Sequence, residues 1–308
     1  MKTVRRTLDQ LPVAAFGMLD AASFFASTGF ARLWRTVGGR EVFWVTEYQG
    51  RPIAVMPGIE FGGWAFRRFQ AMPDGCYASL IILKPNLVSR EEILSATWEG
   101  VHTHGYVKAY LTDYRHEFEY PQNTEVIETN TLLADISSPD WYPPDNRLVK
   151  QIKHAADLHL RIERFNPEKH RTGFHQLVTA AATRQGRQPK YPPAFYDALA
   201  DLATKDERIH WVYLEHKGDP VASHVHLILG DTVLNWQLFL DRRFSTLRAT
   251  QFMIFEIARQ MSRRGVRYMN LGASPPDADG LIKFKQRWGG NDYNYRTLAS
   301  RSGIGRFL

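Results

Sequence analysis

The sequence predicts an α/β (α+β) fold built from two similar halves, each a mixed, mostly antiparallel sheet flanked by helices. The first observation behind this prediction is a short internal repeat. The segments FWVTEYQGRPIAVM, from Phe43, and WVYLEHKGDPVASH, from Trp211, match at Glu47 with Glu215, Gly50 with Gly218, Pro52 with Pro220 and Ala54 with Ala222. Aromatic and β-branched residues flank a glycine-containing turn in each copy, where glycine permits a positive φ, so a β-hairpin is predicted in both halves.

The second observation is that a helix and then a strand follow each hairpin. In the first half, Ser89 and Glu92 match a capping box, and the helix they begin ends at Gly105 before the strand VKAYL. In the second half, Ser245 or Thr246 is the expected N-cap of a helix that ends at Gly265 before RYMNL. The inward-facing positions are Leu94, Trp98 and Val101 in the first helix and Met253, Ile254, Ile257 and Met261 in the second.

A turn-rich segment, SSPDWYPPDN at 137–146, carries three prolines and is the predicted boundary between the halves. We therefore expect domains at 1–140 and 147–308. Beyond the boundary, helices are expected over 147–158, from Asn166-Pro167 and from Pro192. The strand DYNYRTLA, at 292–299, is expected to complete the second half.

Composition indicates a globular protein suited to anionic ligands. Of 308 residues, 44% are hydrophobic, and 39 Lys and Arg against 32 Asp and Glu give a net charge of +7, which favours phosphates, CoA or RNA in general terms. The single cysteine, Cys76, excludes an internal disulfide and a structural cysteine zinc site. Because no run of about 18 apolar residues occurs, we expect a cytoplasmic protein without a membrane span. The absence of GxSxG, GxxxxGK(S/T) and GxGxxG motifs argues against the commonest hydrolases, nucleoside triphosphatases and dinucleotide-dependent enzymes.

The segment YMNLGASPPDADGLIKFKQRWGG, at 268–290, holds an unusually placed lysine. Lys285 shares a helical face with three apolar residues, Leu281, Phe284 and Trp288, while its neighbours Lys283, Gln286 and Arg287 point away. One interpretation is a cation at the edge of a cleft that polarises a carbonyl group or binds a phosphate. The other is a methylene stem that packs on the apolar face while its ammonium reaches water.

This segment resembles the C-terminal signature of the Fem-type, FemAB-related acyltransferases of the GNAT superfamily. The resemblance covers about 147–300 well and the first half more weakly, and it implies tandem GNAT-like halves that move an acyl or aminoacyl group to an amine. Phe284 and Lys285 match the family's Phe-Lys pair, which borders the donor's reactive end, and the matched glycines are Gly272, Gly280 and Gly289. This sequence departs from the family at two places: Asn270 stands where Asp is usual, and DRRFSTLR, at 241–248, replaces the glycine-rich pyrophosphate loop.

The resemblance also implies a donor site along the strand VLNWQLFL, at 233–240. The peptide groups of that strand can bind a donor's amides as an added strand does. Asn235, Gln237 and Phe239 are expected to alternate with Trp236 and Leu238, so that one set lines a cleft. The predicted donor-binding residues are Trp236, Gln237, Leu238, Phe284, Asn270 and Gly272, with Arg242, Arg243 and Arg248 placed to hold phosphates at a helix N-terminus.

His224 and His226 lie two residues apart on one predicted strand face, so each is either a candidate general base for an attacking amine or a hydrogen-bonded structural histidine. A metal would need a third ligand that no spacing supplies, and we expect none. The leading hypothesis is an N-acyltransferase with an acyl-CoA donor, or an acyl carrier, and a small-molecule amine, amino-acid or peptide acceptor. The alternatives are an aminoacyl-tRNA donor and a non-catalytic ligand-binding module.

Overall fold

The computed structural model describes residues 1–63, 66–73, 75–77, 80–116, 124–275 and 277–301. The chain forms two compact units, one comprising Met1–Thr129 with the C-terminal segment from Asn294, the other Asn130–Tyr293. The predicted boundary at 137–146 therefore lies inside the second unit.

The first unit is a mixed sheet between helices. Its strands pair in the order β1-β2-β3-β4-β6, antiparallel except for the parallel pair β4 and β6, and β5 pairs with β3. Val42 and Trp44 pack with the third helix, whereas Phe43 and Val45 pack with the first. The elements are β1 Lys2–Arg6, α1 Val13–Ala22, α2 Thr28–Leu33, β2 Arg40–Tyr48, β3 Arg51–Phe61, β4 Arg68–Ala71, β5 Ile81–Ile82, α3 Arg90–Thr103, β6 Lys108–Asp113 and the start of β7 Glu125–Asp135.

The second unit repeats this plan with strand order β8-β9-β10-β11-β12, antiparallel except for the parallel pair β11 and β12. Val212 and Leu214 pack with α4 and α7, and Trp211, on the opposite face, stacks on Phe165 with ring centroids 4.1 Å apart. The elements are α4 Asn146–Asp157, β8 Arg161–Arg164, α5 Pro167–Arg184, α6 Pro193–Ala203, β9 Ile209–His216, β10 Asp219–Leu229, β11 Thr232–Leu240, α7 Ala249–Arg263, β12 Tyr268–Ala273, α8 Asp279–Gln286 and the start of β13 Gly290–Arg301.

The two predicted hairpins share more than their sequence pattern. Both turns have two residues at positive φ, Gln49-Gly50 in the first and Lys217-Gly218 in the second, as a two-residue hairpin turn requires. Each hairpin then has one unpaired extra residue directly after its proline, Ile53 in the first and Val221 in the second. The shared bulge is an independent structural match between the two halves, because bulges are specific local features.

The last strand of each predicted half pairs with a strand of the other predicted half. Residues 131–135 of β7, near the end of the predicted first half, pair with β12 in the second unit. Residues 296–301 of β13, the predicted final strand of the second half, pair with β6 in the first unit. This exchange of terminal strands is why the compact units divide at Thr129 and Asn294 rather than at the proline-rich segment.

Most predicted helix ends are confirmed, and one is wrong. The Ser89–Glu92 capping box is present, α5 begins at Pro167 with Asn166 as its N-cap, and Gly105 and Gly265 follow their helices at positive φ. Neither Ser245 nor Thr246 caps α7, because both lie in a 3-10 helix, Arg242–Leu247, and Arg248 occupies the N-cap at φ 54°. Within the described ranges, each helix is too short or too polar to cross a membrane.

Candidate active site

The central feature of the second unit is a fork between two parallel strands. β12 pairs with β11 only over Thr232–Leu234, opposite Tyr268–Asn270, and the two strands then separate. On its other edge, β12 has one extra residue against β7, because Asn270 faces Leu133 whereas Ala273 faces Thr131. This bulge contains Gly272 at φ 77°, a conformation that favours glycine.

Asn270 holds the bulge in place. Its side-chain Oδ1 accepts hydrogen bonds from the Thr131 hydroxyl at 2.7 Å and from the Gly272 backbone N–H at 2.8 Å. The residue is 3% exposed, so these bonds satisfy an acceptor that is closed off from bulk water. Asparagine thus supplies this acceptor oxygen without burying a charge. The aspartate expected from the family resemblance would bring a negative charge to the same buried position.

Lys285 reaches the same bulge from α8. Its Nζ donates to the carbonyl oxygens of Gly272 at 2.7 Å and Ala273 at 2.9 Å, and the residue is only 6% exposed. Burial lowers the pKa of Lys285 to about 8, which leaves it mostly charged at neutral pH. Its ammonium therefore does not reach bulk water as the packing interpretation proposed, but lies inside the protein.

The mouth of the fork brings three groups together. A β-carbon at Gly272 would lie 3.8 Å from the backbone oxygen of Asn235, on β11, and 3.9 Å from Nζ of Lys285. The lysine charge thus lies at the point where the strands part. A reacting carbonyl group held at the mouth of the fork would lie close to this charge.

The rest of α8 differs from the predicted apolar face. Trp288 is fully buried, and the ring of Phe284 packs edge-on against it with ring centroids 6.2 Å apart. Leu281, in contrast, is 41% exposed, because only the last turn of the short helix α8 is covered. Gly289 has a φ of 77°, and a β-carbon there would meet Pro144 at 3.1 Å, whereas Gly280 faces open space. The loop before α8 includes Pro276, which lies outside the described residues.

Beyond the fork, β11 has an open edge, since no strand among the described residues pairs with that side of it. From Asn235 to Leu240 it pairs with β10 on one side, while β12 has already separated from it. Trp236 is an extra residue in this pairing, since Val225 faces Gln237 and His226 faces Asn235. The expected simple alternation along β11 is therefore wrong. A pocket of about 240 Å³ brings the predicted Trp236, Gln237 and Leu238 together with residues of α5 and α6.

The loop after β11 carries the three predicted arginines. Asp241 accepts a bond from the backbone N–H of Arg243 and forms a two-point ion pair with its guanidinium, at 2.7 and 2.9 Å. The side chains of Arg242 and Arg248 are exposed, and Arg248 immediately precedes α7. The N-terminal N–H groups of a helix and adjacent arginines are suited to an anion, but the charge of Arg243 is already balanced by Asp241.

His224 and His226 are placed differently from their predicted role. They are 1% and 0% exposed, inside the sheet, with ring centroids 5.1 Å apart. A third histidine, His210, was not predicted to belong to this site, and its ring centroid lies 6.3 Å from that of His226. Most ring nitrogens of these three histidines lack a hydrogen-bond partner of good geometry among the described residues, namely both nitrogens of His210 and of His226 and Nε2 of His224. The side chain of Asn235 nevertheless lies beside His226.

Burial keeps this cluster neutral. It lowers the pKa of His224 to about 3 and that of His226 well below its usual range. Burial lowers the pKa of His210 to about 4, with further lowering by the charges of Arg164 and Arg264. Within the part of the chain that the structure describes, no group of three or more His, Cys, Asp or Glu is arranged to hold a metal ion. Because both candidate bases are enclosed, we assign neither a catalytic step.

Basic residues that were not predicted from the sequence line the pocket beside β11. Arg184, Arg187 and Lys190 line it, and Arg184 donates to the backbone oxygen of Leu240 at 3.2 Å. The only sequence signal was the RQGRQPK run at 184–190, between two predicted helices. Nothing local places that run against a strand fifty residues later.

Comparisons with known proteins identify a domain and a fold. Residues 146–293 match the family model described as an acetyltransferase (GNAT) domain, and no curated protein sequence matches the chain. FemX has a TM-score of 0.65 at 10% identity over 96% of this chain and 97% of that one. A tandem GNAT protein from the clavulanic acid biosynthesis pathway has a TM-score of 0.55 at 13% identity over 98% of both chains.

A third similar structure is the C-terminal domain of a putative lysylphosphatidylglycerol synthetase from Agrobacterium fabrum, with a TM-score of 0.59 at 12% identity over 96% of this chain and 92% of that one. At such identities these likenesses establish the fold. Residues 146–293 therefore match the acetyltransferase (GNAT) domain family, and the chain shares the fold of FemX and of the tandem GNAT protein.

Proposed function

We propose that this protein is an N-acyltransferase that moves an acyl group from a CoA-type thioester to an amine, and that the reaction takes place in the second unit. The observation that carries the proposal is the fork between β11 and β12. It combines an open strand edge, a buried cation at its mouth and a basic loop at the far end of the same strand.

The layout of β11 suits a thioester whose acyl group lies at one end of an amide-bearing arm and whose phosphates lie at the other. From Asn235 to Leu240 the strand extends about 17 Å, at roughly 3.4 Å per residue. The arm's amides can pair with the open strand edge, in the manner of an added strand. The acyl carbonyl then lies near the fork, and the phosphates lie near Arg242, Arg248 and the start of α7.

The proposed chemistry is attack of an uncharged amine nitrogen on the thioester carbonyl carbon. A C–N bond forms, the carbonyl oxygen gains negative charge, and the C–S bond then breaks as the thiolate leaves and takes up a proton. The Lys285 ammonium and backbone N–H groups at the fork would favour the charge that develops on oxygen. The amine loses its proton to water, because His224 and His226 are enclosed.

A transfer assay tests the proposal. Purified protein is incubated with acetyl-CoA or a long-chain acyl-CoA and a panel of primary amines, and both thiol release and the mass of N-acylated products are measured. We expect amine-dependent thiol release with at least one donor, matched by product. Thiol release that does not depend on any amine would contradict N-acyl transfer.

The arginine loop gives a second prediction. The double variant Arg242→Gln/Arg248→Gln is expected to bind CoA about tenfold or more weakly, because each exposed guanidinium would otherwise contribute a charge-assisted bond to a phosphate. Isothermal titration with free CoA measures the change. The matched control is Lys150→Gln/Lys153→Gln, which removes the same charge from the exposed face of α4, and equal weakening by both variants would indicate general charge attraction only.

Two alternatives predict different results. An aminoacyl-tRNA donor predicts no response to CoA and RNA binding that weakens steeply with salt, because phosphate contacts release counterions. A non-catalytic module predicts ligand binding without any product. The lack of a glycine-rich loop before α7 keeps both alternatives worth testing.

A further inference from the structure

The pocket beside β11 has a composition that the proposed donor site does not explain. It lies between β11, the end of α5 and the start of α6, and its floor includes Tyr196 and Phe239. Tyr196 is 2% exposed, and the edge of Phe239 meets the Tyr196 ring at 5.9 Å. The floor is thus aromatic and rigid, as in small-molecule sites.

The rim of this pocket is positively charged. Arg184, Arg187 and Lys190 contribute to it, and none of its lining residues, all in the described part of the chain, is acidic. Two of these groups are fixed by neighbours, since Arg187 donates to the Gln185 side chain at 2.7 Å and Arg184 donates to the Leu240 backbone. Each guanidinium keeps further N–H donors beyond that single bond. A concave surface with charge of one sign concentrates ligands of the opposite sign.

The pocket also lies close to the reacting end of the fork. Trp236 directly follows Asn235, whose backbone oxygen borders the fork, and its ring lies 6.3 Å from that of Phe195 on α6. Lys190 lies over the ring of Tyr191, which stacks on Phe195, so this basic residue is close to the Trp236 end of the pocket. A small ligand anchored there can present an amine to the fork.

The size of the pocket restricts the ligand. About 240 Å³ is below the roughly 300–1,000 Å³ typical of sites for drug-sized ligands. A ligand as large as a nucleotide would not be enclosed by it.

We propose that this pocket binds the acceptor, and that the acceptor is a small primary amine that also carries an acidic group, a carboxylate or a phosphate, held by Arg187 and Lys190. This inference rests on the proposed N-acyl transfer and specifies its acceptor. It separates two basic clusters by role, with Arg242 and Arg248 serving the donor and Arg187 and Lys190 serving the acceptor.

The test uses amines that differ only by the acidic group. Acetyl-CoA or long-chain acyl-CoA is the donor, and amino acids are compared with their amides and O-phosphoethanolamine with ethanolamine. We expect product from members of one acidic set, carboxylate or phosphate, at rates at least tenfold above those of their neutral partners. Arg187→Gln/Lys190→Gln should raise KM for that acceptor about tenfold or more and leave KM for the donor unchanged, whereas Lys150→Gln/Lys153→Gln should change neither.

Each other outcome counts against the inference in a distinguishable way. Equal rates for acidic and neutral amines would overturn the acceptor class while leaving N-acyl transfer in place. A rise in KM for the donor in the Arg187→Gln/Lys190→Gln variant would reassign the pocket to the donor. No product from any amine with either donor would remove the proposed function, and the inference with it.

Discussion

Replacing Lys285 with methionine is expected to lower turnover about 100-fold, the usual effect of removing one group that stabilises a developing oxyanion. The same change removes a donor shared by two carbonyl groups of the β12 bulge, so the free energy of unfolding should fall by about 1–3 kcal/mol. Methionine matches the apolar stem of the lysine side chain and lacks only its ammonium group, which separates the loss of charge from the loss of packing. Steady-state kinetics and urea denaturation measure the two effects on one preparation.

Two further variants decide what the lysine contributes. Lys283→Met changes an exposed residue of the same helix and should leave turnover and stability unchanged. Lys285→Arg keeps a cation and should recover part of the turnover, although its planar head cannot reproduce both bonds. Near-normal turnover in a folded Lys285→Met variant would remove the lysine from the mechanism and leave it only a structural role at the bulge.

Acid is expected to destabilise the second unit well before most carboxylates are protonated. His210, His224 and His226 have an ordinary pKa near 6.5 when unfolded, whereas burial lowers each of them in the folded protein, to about 4 for His210 and about 3 for His224. Between these values the unfolded chain binds more protons than the folded one, so stability is fully present above pH 6.5 and falls as the pH drops toward about 4. Each histidine contributes about 1.4 kcal/mol per pH unit within that window.

Urea denaturation at closely spaced pH values between 8 and 4.5 measures this dependence. The variant His224→Leu should have a shallower slope below pH 6.5, because one of the three protonation sites is gone. His154→Leu, at an exposed position of α4, is the control and should keep the wild-type slope. A free energy of unfolding that stays constant from pH 8 to 5 would show that the cluster is open to protons in the folded state.

Local chemistry accounts for the features that the sequence could predict. The hairpin turns at Gln49-Gly50 and Lys217-Gly218, the capping box at Ser89 and the N-cap at Asn166 depend on a few adjacent residues with strong conformational preferences. The strand after each helix was predicted from the same local order, whereas its parallel pairing and the fork were not. Lys285 was identified because a cation on an apolar helical face is unusual.

Features that depend on contacts distant in sequence could not be predicted. The exchange of β7 and β13 depends on which strand edge each one meets, and strand periodicity does not specify that edge. Arg248 at positive φ displaces the expected Ser245 cap, and no propensity argument favours arginine there. His224 and His226 were candidate bases because strand periodicity shows that they share a face, but periodicity does not show that this face is buried.

The most direct test of the account is hydrogen–deuterium exchange of the protein with and without a saturating acyl-CoA that supports transfer. Backbone amides at an open strand edge exchange readily, and bonds to an added ligand strand protect them. The account predicts slower exchange in peptides that cover 235–240 of β11 and the loop at 241–248, with little change in 40–61. Unchanged exchange across 235–248, or protection confined to the first unit, would contradict a donor site at the fork.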